Sequence, residues 1–143
     1  MRRGIGRDRR ALREGVTVYG VARDRAKLES LESEHKGRFY GAAVDLVDTE
    51  SLAEVVDTAT KAMSGLSGLV NCAGVVRNQE IGAIEIADAV HDWKVNFLAP
   101  LMLAQAAAQK MKEKGGAIVN VCRARCLCVP MLDFRCTQRI KRR

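Results

Sequence analysis

Residues 16–46, VTVYGVARDRAKLESLESEHKGRFYGAAVDL, decide the fold. Val16 to Ala22 is a short run of β-branched, aromatic and small residues set off by Gly15, the composition of a buried strand. Arg25 to His35 follows, with Leu28 and Leu31 at the spacing of a helix that has one apolar side. Phe39 to Val44 returns to strand character and ends at Asp45. Strand, helix and strand in quick succession form the unit of a parallel sheet, because parallel neighbours need a crossover connection.

The alternation continues outward. Thr49 is expected to cap a helix whose apolar positions are Leu52, Val55, Val56, Ala59 and Met63. Ser67 to Cys72 reads as a third strand, and Ala117 to Val121 as a fourth. Between them a long helix is expected from Ala87 to Lys114, stopped by Gly115 and Gly116. Val90, Trp93, Phe97, Leu101, Ala104, Ala108 and Met111 recur along it at helical steps, a stripe expected to face the sheet. Ala104, Ala106, Ala107 and Ala108 offer a small-residue surface for close approach by a partner helix. Residues 1–143 thus read as one α/β domain of four strands and three helices with a parallel sheet.

Composition narrows the function classes. Apolar residues at 48% and charged residues at 29% exclude wholesale disorder. No uncharged run is longer than Val95 to Gln109, which contains Pro100 and is too short to span a bilayer. The net charge of +7 comes from the ends: residues 1–13 carry +5 and residues 123–143 carry +6, which leaves the body at −4. Those ends read as basic, poorly ordered tails, and a nucleic-acid partner is not expected. Five Cys without a disulfide framework point to a reducing compartment. That is the cytoplasm, with the mitochondrion as alternative because the first thirteen residues are Arg-rich. Cys122, Cys126, Cys128 and Cys136 lack the paired spacing of a zinc site, so no metal is expected. His35 and His91 read as bystanders on helix surfaces.

Open α/β sheets bind ligands at the carboxyl ends of their strands, so the residues just after each strand carry the functional reading. Arg23 follows the first strand, where a dinucleotide's adenosine ribose is met, and a cation there favours a 2′-phosphate. Asp45-Leu46 follows the second strand and Asn71-Cys72-Ala73-Gly74 the third, the latter small enough for backbone to approach a flat ring.

With Gly4-Ile5-Gly6, Val95-Asn96 and Gly116-Ala117-Ile118-Val119-Asn120-Val121, these pieces resemble the short-chain dehydrogenase/reductase family, nearest to NADPH-dependent carbonyl and L-xylulose reductases. The resemblance implies that residues 1–143 form a single partial dinucleotide-binding domain, an incomplete Rossmann-like doubly wound parallel sheet, and an NADP(H)-dependent oxidoreductase acting on a small carbonyl or sugar. It implies cofactor contacts at Gly4, Ile5, Gly6, Arg23, Asp45, Leu46, Asn71, Ala73 and Gly74, a proton-relay role for Asn96, and a homo-oligomer formed through the helix at 87–114. It also exposes departures. The family's first strand, central in its sheet between the strands at Val16–Ala22 and Ser67–Cys72, has no counterpart, which leaves two unpaired edges or forces those strands together. Arg135 and Arg139 stand in the slots of the catalytic Tyr and Lys, and Cys122 or Arg123 in that of the Ser. A guanidinium stays charged and cannot act as the acid that tyrosine supplies. The chain is therefore expected to be a truncated member. The alternative to an enzyme is a non-catalytic relic that binds nucleotide weakly or joins an intact homologous subunit.

Overall fold

The computed structural model describes residues 3–77, 79–80, 82–123 and 133–140. In order, the elements are α1 (Arg3–Arg13), β1 (Val18–Ala22), α2 (Arg25–Glu34), β2 (Phe39–Ala43), α3 (Leu52–Ala62), β3 (Gly68–Asn71), α4 (Ile86–Trp93), a π-helical turn (Lys94–Leu98), α5 (Ala99–Met111), β4 (Gly116–Arg123) and β5 (Asp133–Ile140). The expected alternation holds, and the architecture is an incomplete Rossmann-like α/β fold.

The strands form two sheets rather than one. β1 pairs with β2 in parallel, Val18 opposite Phe39 through Ala22 opposite Ala43. β3 pairs with β4 in parallel, and β5 lies antiparallel on the far side of β4. Of the two outcomes expected for a missing central strand, unpaired edges and forced pairing, the first is found. β1 and β3 do not pair with each other.

Each sheet has its own core. Leu12, Leu28, Leu31 and Phe39 form one cluster, with Val18 and Ala22 against it. Gly20 and Gly41 admit that packing by close approach: a Cβ at Gly20 would stand 2.6 Å from the Phe39 ring, and one at Gly41 would stand 2.9 Å from the Leu28 Cβ. Val56, Ala107, Met111 and Ile118 form the other, with Leu66, Leu69 and Leu103 against it. The turn after α5 closes at Gly115, whose φ of +73° suits glycine and whose N–H donates to the Met111 carbonyl at 2.8 Å.

Four expectations change here. The basic segment at 1–13 is helical from Arg3, and Leu12 is 0% exposed. With so few apolar residues the segment reads as solvated, yet one leucine aimed into the cluster is enough to seat it. An Arg9–Glu34 ion pair at 2.9 Å and a hydrogen bond from the Arg38 guanidinium to the Leu12 carbonyl at 2.9 Å hold it. At the other end, residues 133–140 of the tail expected at 123–143 form β5. Ser51, not Thr49, stands at the N-cap of α3, and its hydroxyl donates to the Asp48 carbonyl at 3.1 Å instead of capping the helix.

The fourth change concerns the long helix, where the expected stripe faces the core only in its C-terminal part. Val90, Trp93, Phe97 and Leu101 are about half exposed, whereas Ala107, assigned to a partner surface, is buried at 0%. A π turn at Lys94–Leu98 interrupts the helix within the expected stripe. Ala104, Ala108 and Met111 of that stripe pack on the core, whereas Leu101, in the same α5, and Val90, Trp93 and Phe97 before it do not.

Candidate functional site

The carboxyl ends of β1, β2 and β3 meet. A small cavity of about 40 Å³ is lined by Val21, Ala22 and Arg23 after β1, by Val44, Asp45 and Leu46 after β2, and by Ala73, Gly74 and Val75 after β3. His91 and Val95 close it from the long helix. Arg23, Asp45, Leu46, Ala73 and Gly74, all read from the sequence as strand-end contacts, are thus brought together. The cavity has room for little more than a water molecule, so a larger ligand would lie across the strand ends outside it.

The acid beside Arg23 is already engaged. Asp24 is the N-cap of α2: its Oδ1 accepts from the Lys27 N–H at 3.2 Å, and its Oδ2 pairs with the Lys27 ammonium. The Lys27 side chain holds the Asp24 carboxyl below the usual carboxylate range, and the backbone hydrogen bond from Lys27 acts the same way. Asp45 makes its own turn, its Oδ1 accepting from the Val47 N–H at 3.1 Å and its carbonyl from the Asp48 N–H at 3.1 Å. Of the nearby carboxylates, neither is an unengaged acceptor for a ribose hydroxyl.

Asn96 lies in the π turn and clamps the loop after β3. Its Oδ1 accepts from the Val75 N–H at 2.9 Å, and its Nδ2 donates to the Val75 carbonyl at 2.9 Å. A Cβ at Gly74 would meet the Asn96 Oδ1 at 3.3 Å, so glycine lets the loop lie this close. The Asn96 side chain thus holds the loop with one donor and one acceptor bond.

Asn71, expected as a cofactor contact, is not among the residues that line the cavity. It is buried, and its Nδ2 donates to the Asn120 Oδ1 at 2.8 Å and to the Pro100 carbonyl at 3.3 Å. It ties β3 to β4 and to α5. Gly4, Ile5 and Gly6 fall in the first turns of α1, not in a loop before it.

His91 was read as a bystander but lines the cavity. Its Nδ1 lies 3.2 Å from an Arg77 nitrogen and 3.2 Å from Asp92 Oδ1, while the Arg77 guanidinium also pairs with Asp88 and Asp92. Gln79 donates to Asp88 Oδ2 at 3.0 Å, so the loop between β3 and α4 is pinned to α4 at several points. Helical spacing held a signal for His91: it stands four residues before Val95, on the same side of the helix.

Arg135 and Arg139 lie on β5, opposite Val121 and Ala117 of β4. Four residues apart on a strand means about 13 Å between Cα atoms, roughly twice the spacing that a helix gives. Among the described residues no group of three or more His, Cys, Asp or Glu is placed to hold a metal; Cys126 and Cys128 lie outside them. Among the same residues no helix is long and apolar enough to cross a membrane.

Comparison with known proteins agrees with this geometry. The chain is 29% identical over 78% of its length to the uncharacterized oxidoreductase YIR035C of Saccharomyces cerevisiae, and covers 44% of that protein. The crystal structure of the same yeast protein superposes with a TM-score of 0.73 over 82% of this chain and 49% of that one, at 28% identity. An L-xylulose reductase of Caenorhabditis elegans is 30% identical over 75% of this chain and 43% of its own length. The inactive 2-(S)-hydroxypropyl-CoM dehydrogenase 2 of Xanthobacter autotrophicus is 31% identical over 78% of this chain and 49% of its own. The chain spans about half the length of the curated relatives it matches. The family model for short chain dehydrogenases matches residues 1–128, and the chain belongs to that family.

Proposed function

We propose that the strand-end cluster binds NADP(H), and that the chain derives from reductases of small carbonyl or sugar substrates without retaining their proton donor. The observation that carries the reading is the convergence of Arg23, Asp45, Leu46, Ala73 and Gly74 on one cavity at three strand ends. Arg23 supplies a cation for the adenosine 2′-phosphate, and the neighbouring Asp24 is committed to capping α2. Ala73 and Gly74 give the cofactor a lip without bulky side chains, and Gly4, Ile5 and Gly6 offer the amino end of α1 to its phosphates. When bound, the cofactor supplies the hydride. Asn96 and Asn71 act as positioning residues, the first holding the Gly74–Val75 loop and the second seating β3 against β4.

Turnover needs a proton donor poised near neutral pH. Arg135 and Arg139 are permanent cations. Their place on β5 separates the two positions further than a helix would. Calorimetry with NADPH and NADH on the wild type and on Arg23→Ala tests the binding half: NADPH binds better, and Arg23→Ala removes the preference. Equal binding of the two cofactors overturns it. NADPH oxidation with diacetyl or L-xylulose tests the other half, and turnover within tenfold of an intact relative overturns the claim of inactivity.

The alternative reading, a non-catalytic subunit that joins a second copy or an intact homologue, is supported by the exposed stripe Val90, Trp93, Phe97 and Leu101. Trp93 and Phe97 stack with centroids 6.1 Å apart, a preformed apolar surface. The cytoplasm is the compartment we assign, on the cysteine content.

A further inference from the structure

The loop after β3 is tied to α4 through a triangle of polar atoms. Arg77 of the loop places one terminal nitrogen, Nη2, 3.2 Å from His91 Nδ1, and its Nε 3.2 Å from Asp92 Oδ1. The third side, from His91 Nδ1 to Asp92 Oδ1, is also 3.2 Å. The other terminal nitrogen of Arg77, Nη1, pairs with Asp88.

A guanidinium can only donate and an ionised carboxylate can only accept, so the imidazole nitrogen is the one corner that can change its role. When His91 is neutral with its proton on Nε2, the Nδ1 lone pair accepts from Arg77 Nη2–H while Asp92 Oδ1 accepts from Arg77 Nε–H. When His91 is charged, Nδ1 carries a proton too. It then meets the Arg77 Nη2–H donor against donor and cation against cation, and its remaining partner is the oxygen that Arg77 Nε already uses. One added proton therefore contests both of these Arg77 ties and leaves the pair with Asp88 in place.

The charges against the ring are Arg77 from the loop and Asp88 and Asp92 from its own helix. Arg23 after β1 and Asp45 after β2 line the same cavity as His91, and Lys94 shares the adjoining cleft with Asp45. Histidine is the side chain that ordinarily changes charge between pH 5 and 8. The loop that Arg77 anchors gives Ala73, Gly74 and Val75 to that cavity, so the triangle stands directly behind its lip.

We propose that His91 is a proton-operated switch on this lip: neutral, its Nδ1 accepts from Arg77 and fastens the loop to α4; protonated, the same nitrogen donates to Asp92 and turns the guanidinium away. The loop then rests on the Asn96 bonds to Val75 and on Asp88, which holds Arg77 and Gln79. The switch does not depend on the nucleotide reading, and its test needs no cofactor.

The full chain, labelled with nitrogen-15, is titrated from pH 8 to pH 5 and followed by NMR at the ring nitrogens and the backbone amides. At pH 8 the His91 ring should hold its proton on Nε2. The amide shifts of residues 73–77 should move with the ring's own midpoint, and the protection factor of the Val75 amide should fall at least threefold across the titration. His91→Gln, which also identifies the ring signals, should abolish the pH response of the loop. Arg77→Gln should leave the ring titrating while the loop no longer follows it. A neutral ring protonated on Nδ1 overturns the proposal, as does a loop unmoved while His91 titrates. A loop response that survives in His91→Gln overturns it too, because another group then drives it.

Discussion

The half built on β1 and β2 and the half built on β3 and β4 solve the same packing problem differently. The first gathers three leucines and Phe39 over a strand pair whose glycines, Gly20 and Gly41, make room for the ring and for Leu28. The second sets small alanines of α5 and Met111 against Val56 and Ile118, and adds a polar tie through Asn71. No residue belongs to both clusters. A central strand would normally join two such halves; here α3 touches both, lying against α5 and reaching β2. The chain is therefore expected to unfold in two parts, not as one cooperative unit.

The largest effect should come from Phe39→Ala. Phe39 is 2% exposed, and removing its ring empties the space that Gly20 leaves for it, which costs about 3–5 kcal/mol. If the halves are independent, native-state exchange speeds up at residues 18–43 while the amides of β3, α5 and β4 keep their protection. Equal loss in both halves would break the comparison and show one cooperative unit.

A smaller loss, about 1–3 kcal/mol, is expected for Asn71→Ala, which leaves the Asn120 Oδ1 and the Pro100 carbonyl without their donor. Exchange should change in the opposite pattern, faster in β3 and β4 and unaltered in β1 and β2. The same variant bears on the site, because a loosened β3 lets the Ala73–Gly74 loop drift from Arg23 even though Asn96 still holds Val75. Reduced NADPH affinity with an intact first half is the expected signature.

What could be read from the chain and what could not follows from the range of the interactions. Periodicity marks strands and helices because it is local, and Val18–Ala22, Phe39–Ala43 and Arg25–Glu34 lie within two residues of the expected bounds. Strand-end residues could be named because topology alone delivers them to one edge. The face of the long helix could be read only in part: Ala104, Ala108 and Met111 pack as their spacing suggests, while Leu101 and the apolar residues before it stay exposed. The packing of Leu12 and Asn71 was not legible for another reason. Their roles depend on partners 16 or more residues away, Leu28 and Phe39 for the first and Pro100 and Asn120 for the second.

The smallest effect distinguishes the halves by pH. Burial pushes the Asp8 carboxyl above its ordinary value of 3.8, whereas Lys110 beside Asp57 holds that carboxyl below it. The two act in opposite senses. The folded chain binds the Asp8 proton more tightly than the unfolded chain, so stability from this group falls as pH rises through the window just above 3.8. Asp57 binds its proton more weakly when folded, so its contribution is complete above 3.8 and disappears only as pH falls through its lower folded value. Moderate acidification from neutrality should first slow exchange opening in the α1–β1–β2 half, and stronger acid should then loosen the α3–α5 contact. Asp8→Asn removes the first phase, with a gain at neutral pH on the order of 0.5 kcal/mol, the scale of an ordinary partly exposed substitution. A variant that leaves the first half's pH profile unchanged would show that Asp8 is solvated in the working protein and that Leu12 alone seats α1.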